Sequence, residues 1–216
     1  MRARLRRARR NERGATLVEV AATLMLLSIV FTFVYKTVDT TTYAIAGQTA
    51  RLANLDEART IMSVTTKDLR TATRLTAGTS PFVLGQDNEV VFYANLNNVT
   101  GGPRKIRIYV NSDKVFISEM WTPDVSSVAP NYTYTGSPTP RFVGRYVANP
   151  TNQPIFEYYD INGTKLTTPL NAAGLLAVYS VKVTLVVRKQ TTLPLRPVTL
   201  VNQVRLPNVD YQPVTG

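Results

Sequence analysis

Hydrophobic and polar positions change period along this chain, and the change marks out its elements. From Ala15 to Tyr35 the residues are almost continuously apolar, and the only charge among these 21 is Glu19. As a helix, at about 1.5 Å per residue, the stretch covers roughly 31 Å, close to the ~30 Å hydrocarbon thickness of a bilayer. Residues 51–75 follow a helical period, with Leu52, Leu55, Ala58, Met62, Thr65, Leu69 and Ala72 recurring at three- and four-residue steps. All 13 prolines lie at or after Pro81, and Gly47 is the only glycine between Ala15 and Gly78. One long helix is therefore permitted across the first 75 residues. Its weakest stretch is 36–48, which holds four threonines, Val38 and Gly47. The composition there predicts a kink or a local loosening.

After Gly78 the period falls to two. EVVFYANL (89–96) reads as a strand, and RKIRIYV with KVFISEMW reads as a hairpin about Asn111-Ser112-Asp113. RFVGRYV (141–147) is a further strand, and IFEYYDINGTKLT (155–167) carries the Asn162-Gly163 hairpin-turn signal. YSVKVTLVVRK (179–189) alternates over a long run, and VTLVNQVRLP (198–207) is expected to return beside it. A long helix followed by an antiparallel sheet predicts an α+β architecture. Four segments result: a basic leader at 1–14, a membrane helix at 15–35, a continuing amphipathic helix at 36–75, and a β-rich head at 76–216.

Charge sharpens the front end. The formal net charge is +11, but residues 1–13 alone hold seven arginines and one acid. The remainder carries only +5, and no later block of like charge stands out as a nucleic-acid patch. Arginines before an apolar span keep the N-terminus cytoplasmic and place the chain beyond Lys36 outside. Cysteine and histidine are both absent. This excludes disulfides, thiol catalysis and Cys-ligated zinc, and removes the usual general base. An ordinary signal peptide has a shorter apolar region with a cleavage site close behind. Here the small-x-small candidate, Ala44-Ile45-Ala46 before Gly47, lies well beyond the apolar run. The paired arginines lack the compact apolar motif of twin-arginine export, and a plain signal anchor leaves Glu19 unexplained.

An acid inside a membrane helix costs roughly 2.5–3.5 kcal/mol near the centre and somewhat less near an end. Cleavage after Gly14 would supply a partner, the free amine of Ala15, four residues away at the same end of the helix. Paired between neighbouring subunits, amine and carboxylate would set the axial register of packed helices. A basic leader ending in glycine, then ATLVEV, then an apolar helix resembles the class III signal of type IV prepilins and pseudopilins. Gly14 matches the residue before the scissile bond, Ala15 the first mature residue, and Glu19 the glutamate at mature position five. Ala15 stands where phenylalanine is usual. The resemblance implies a pilin-like fold and cleavage by a prepilin peptidase, which also N-methylates Ala15. It implies as partners the cytoplasmic membrane, a pilus assembly platform, and other pilin subunits through the N-terminal helix.

Two distal stretches resemble J-type pseudopilins and W-type minor pilins: KDLRTAT (67–73) and FEYYDINGTKL (156–166). The closing VRLPN resembles their last strand, with proline interrupting the usual pattern. A minor pilin or pseudopilin of a pilus, secretion or competence filament is the implied role, with the head on the cell surface. A signal-anchored adhesin that never polymerises is the alternative.

No catalytic constellation is evident, and neither a cofactor nor a metal is expected. Ser112, Lys114 and Ser118 are neighbours because a hairpin places them so. Asp160, Asn162 and Gly163 form a turn more simply than a calcium loop, lacking the spaced ligands of an EF-hand. Asp56, Glu57, Arg59, Lys67, Arg70 and Arg74 read as a solvated helix face. Arg107, Tyr109, Arg141, Phe142, Arg145 and Tyr146 interleave bases with aromatics as DNA-binding surfaces do, but strand alternation explains the pattern without DNA.

Overall fold

A single helix opens the chain in this computed structural model, which describes residues 16–96, 101–189 and 196–209. Helix α1 runs without interruption over Leu17–Arg70. The helical conformation continues through 36–48, where the composition predicts a kink or a local loosening. Thr37, Thr41 and Thr42 donate to the carbonyls of Phe33, Thr37 and Val38, each at 2.8 Å, so their hydroxyls are satisfied within it. The chain nevertheless divides into two compact units between Ala46 and Gly47, inside this weak stretch. The helix ends five residues before the expected 75. There the backbone turns into the head: Thr73 N–H donates to the Tyr93 carbonyl (2.8 Å), and Asn95 N–H donates to Thr71 (2.9 Å).

The head contains two antiparallel sheets, not one. The first has the order β1 (Phe82–Gly85), β2 (Glu89–Ala94), β3 (Arg104–Val110), β4 (Phe116–Trp121), β5 (Thr139–Gly144). The second joins β6 (Phe156–Tyr159), β7 (Ser180–Val187) and β8 (Val198–Arg205), with β8 returning beside β7 as expected. Local alternation identifies strands but does not choose their partners, so the sequence pattern does not reveal the division. Two elements escape that pattern: β1, four residues long, and α2 (Ala172–Ala177), which is capped by the Asn171 side chain accepting from Gly174 N–H. The arm after Asn162-Gly163 is not a strand; it meets β6 at the Tyr159–Lys165 bridge and through an ion pair between Lys165 and Glu157. Strand β5 begins earlier than expected and stops at Gly144, two residues before Tyr146 takes a positive φ of 63°.

One core joins the later part of α1 to both sheets. Ala58, Ile61 and Leu69 pack with Val90, Phe92, Ile106, Ile108 and Phe116 of the first sheet and with Phe156, Val183 and Leu185 of the second. Ala58, Met62, Thr65, Leu69 and Ala72 of the expected stripe are buried, and the buried face is wider than the stripe at one edge and stops short of it at the start. Leu52 is 60% exposed, whereas Asn54, Ile61 and Asp68 are buried. Asn54 is buried because its carboxamide oxygen accepts from Lys189 N–H (3.1 Å). Glu57, on the expected solvated face, is half-buried, and its carboxylate accepts from Arg145 N–H at 2.6 Å, fastening the end of β5 to the helix. Beside it, Gly144 must be glycine: a Cβ there would lie 2.4 Å from Ile61 Cγ1. On the other flank, Asn202 of β8 donates to Thr66 (3.0 Å).

Candidate functional site

Local chemistry starts α1 in the expected place. Thr16 precedes the first helical residue, and its hydroxyl accepts from Glu19 N–H at 3.3 Å. Thr16-Leu17-Val18-Glu19 thus has the capping-box spacing, with the hydroxyl half of the box formed. That spacing is present in the sequence, but the membrane signal around the acid overshadows it. Glu19 therefore lies in the first turn, where the partial positive charge of a helix N-terminus favours an anion by about 0.3–1 kcal/mol. That is too little to offset the cost of a carboxylate in hydrocarbon. Among the described residues no side-chain hydrogen bond or ion pair reaches the Glu19 carboxylate. Gly14 and Ala15, the expected cleavage and methylation positions, lie outside the described residues.

Every described residue from Thr16 to Ala46 is exposed. The exposed side chains include the consecutive run Leu24, Met25, Leu26 and Leu27, and then Ile29, Val30, Phe31, Phe33 and Val34. An apolar surface on all sides of a helix belongs in a membrane or in a bundle of other helices. The helix is long and apolar enough to cross a membrane. Its few polar residues are neutralised locally: Thr23, Ser28 and Thr32 donate to the carbonyls of Val20, Met25 and Ser28 at 2.7–2.8 Å. Glu19 is the only charged side chain among the described residues before Lys36.

The two distal motifs have structural work. In KDLRTAT, Leu69 and Ala72 are core residues, and the Arg70 carbonyl accepts from Asn208 (3.4 Å). Asp68 is 6% exposed, and burial pushes its carboxyl up to about 6, with Arg141 and Lys67 opposing. In FEYYDINGTKL, Phe156 and Tyr158 are fully buried, and Tyr158 donates to the Gln86 carbonyl (3.1 Å). Asp160 accepts from Asn162 N–H (2.9 Å) and Thr164 N–H (2.7 Å), and Gly163 has a φ of +79°. Both are as a turn requires.

The bases and aromatics considered for DNA do not form one surface. Arg107 and Tyr109 point away from the core, and Arg107 is engaged: it reaches Glu89 at 2.7 Å and Glu119 at 3.4 Å, and stacks 4.3 Å from the Tyr109 ring. Arg141 pairs with Ser118, which in turn pairs with the buried Ile108, and so belongs to the opposite, helix-facing side. Ser118 is buried within β4, while Lys114 sits at the hairpin turn with a φ of 61°. Comparison of the chain with protein-family models, with characterised proteins and with solved structures finds no match.

Proposed function

We propose that this chain is a structural subunit of a filament of the type IV pilus and pseudopilus class, anchored in the cytoplasmic membrane with its head outside. Within that class the distal motifs favour a minor pilin or pseudopilin. The observation that carries the reading is the exposed, all-round apolar helix with one unpartnered carboxylate in its first turn, directly after a basic leader and Gly14. A membrane anchor alone needs the apolar surface and not the acid. A helix that leaves the bilayer to pack among copies needs both, the surface for burial and the acid for register. A prepilin peptidase would free the Ala15 amine, and Glu19 of one subunit would meet it on another.

The absence of cysteine provides a test. Single cysteines placed at Leu24, Leu27, Val30 and Phe31 of the full chain, expressed in the native host, are oxidised on the cell surface and in sheared filaments. The expected result is disulfide-linked dimers at one or more positions in the filament fraction. Monomer at all four positions, with the protein confined to the membrane, overturns the filament role and favours a non-polymerising surface binding protein.

A further inference from the structure

Where the end of α1 meets β3, β4 and β5 there is a cavity of about 310 Å³, at the small end of the range for ligand sites. Asp68 lines it from the helix, with Lys67 beside it; Arg104, which also donates to the Thr122 hydroxyl (2.8 Å), and Arg141 line it from β3 and β5; Ile106 and Met120 contribute apolar wall. Asp68 as a residue is 6% exposed. Among the described residues, no hydrogen bond and no ion pair within 4 Å reaches its carboxylate. Arg141 and Lys67 act on it electrostatically, yet neither closes onto it. A buried charge is normally paired and hydrogen-bonded, because leaving it bare is costly. Here the acid and its cations stand on one cavity with the space between them open.

We propose that this cavity binds a small zwitterion of the α-amino-acid class, its ammonium group on Asp68, its carboxylate on Arg141 and its apolar side chain against Ile106 and Met120. Charge selects this class. A plain anion satisfies Arg104, Arg141 and Lys67 but faces the Asp68 carboxylate. A plain amine satisfies Asp68 but faces three cations. A zwitterion completes both halves and replaces the missing partners with charge-assisted hydrogen bonds. The inference concerns the head alone and does not depend on the filament role.

Isothermal titration of the full chain in detergent micelles at pH 7.5 tests it, with glycine, L-valine, L-leucine and L-methionine as zwitterions. Isoamylamine, which is leucine without its carboxylate, and 4-methylpentanoate, which is leucine without its amine, separate the two halves. At least one apolar amino acid is expected to bind saturably at one per chain, and each half-molecule about tenfold or more weaker than leucine. Asp68→Asn and Arg141→Gln should each weaken the amino acid by about tenfold or more, with far-ultraviolet circular dichroism unchanged. No saturable heat with any of the four amino acids overturns the proposal, as does binding that survives Asp68→Asn. Equal binding of 4-methylpentanoate makes the cavity a simple anion site, equal binding of isoamylamine a simple cation site, and either result overturns the proposal too.

Discussion

Replacing Glu19 by alanine is expected to leave cleavage of the leader largely intact while removing the subunit from filaments. In the proposed reading the leader junction centres on Gly14, so a side chain five residues on would not be needed for the cut. The carboxylate would be needed later, in assembly. Its burden in the apolar layer is roughly 2.5–3.5 kcal/mol at its largest. If pairing with an amine relieves that burden, the relief corresponds to about a hundredfold in the partition between membrane and filament. Glu19→Ala keeps the apolar surface and removes the directing charge, and Glu19→Gln should behave alike because it keeps shape and loses charge. Immunoblots of sheared filaments against membranes read the ratio. Incorporation equal to the unsubstituted chain would mean that the acid serves only the helix cap, as half of a capping box with Thr16.

A second large effect is expected in the head. The Asp68 carboxyl is raised from 3.8 to about 6, mainly by burial. A folded-state value above the unfolded one means that the native state holds the proton more firmly. The stabilisation is therefore complete below about 4 and is lost as pH rises through about 6. Across that window it amounts to about 3 kcal/mol, at 1.36 kcal/mol for each pKa unit. Arg141 on β5 and Lys67 on the helix oppose the rise, and Arg104 on β3 lines the same cavity. Other carboxylates titrate over the same range, so the informative quantity is the difference between the unsubstituted chain and Asp68→Asn. Urea unfolding of the full chain in detergent should find Asp68→Asn the more stable at pH 7.5, with the gap narrowing towards pH 4. A variant that is less stable at pH 7.5 would show that the ionised carboxylate is held by favourable contacts.

Most of the fold is legible in the sequence where one physical signal dominates. Continuous apolarity without proline marks α1, and period-two alternation marks β2, β3, β4, β7 and β8. The features of the head that the sequence hides are those decided by tertiary contact. Strand β1 is too short for alternation to register, and the short α2 contains Gly174 and buries no side chain. Asn54, Glu57 and Asp68 have the composition of a solvated face; only the approach of Lys189, of Arg145 and of the cavity beside β5 gives them other surroundings. Thr37, Thr41 and Thr42 lower helix propensity in isolation, yet their hydroxyls bond back to the helix they were expected to loosen. The candidate site is the more legible part, since Glu19 is anomalous in the sequence itself. What the structure adds is its first-turn position and the bonding of Thr23, Ser28 and Thr32 back to the helix.

The claim that joins these observations is that α1 begins, in the mature protein, with an amine close enough in sequence to serve Glu19. Mass spectrometry of the mature N-terminus, on protein from the native host, tests it most directly. The account predicts a chain beginning at Ala15, with or without a methyl group on its nitrogen. A mature chain beginning at Gly47 would mean ordinary signal-peptide cleavage, would remove the apolar helix altogether, and would contradict the account.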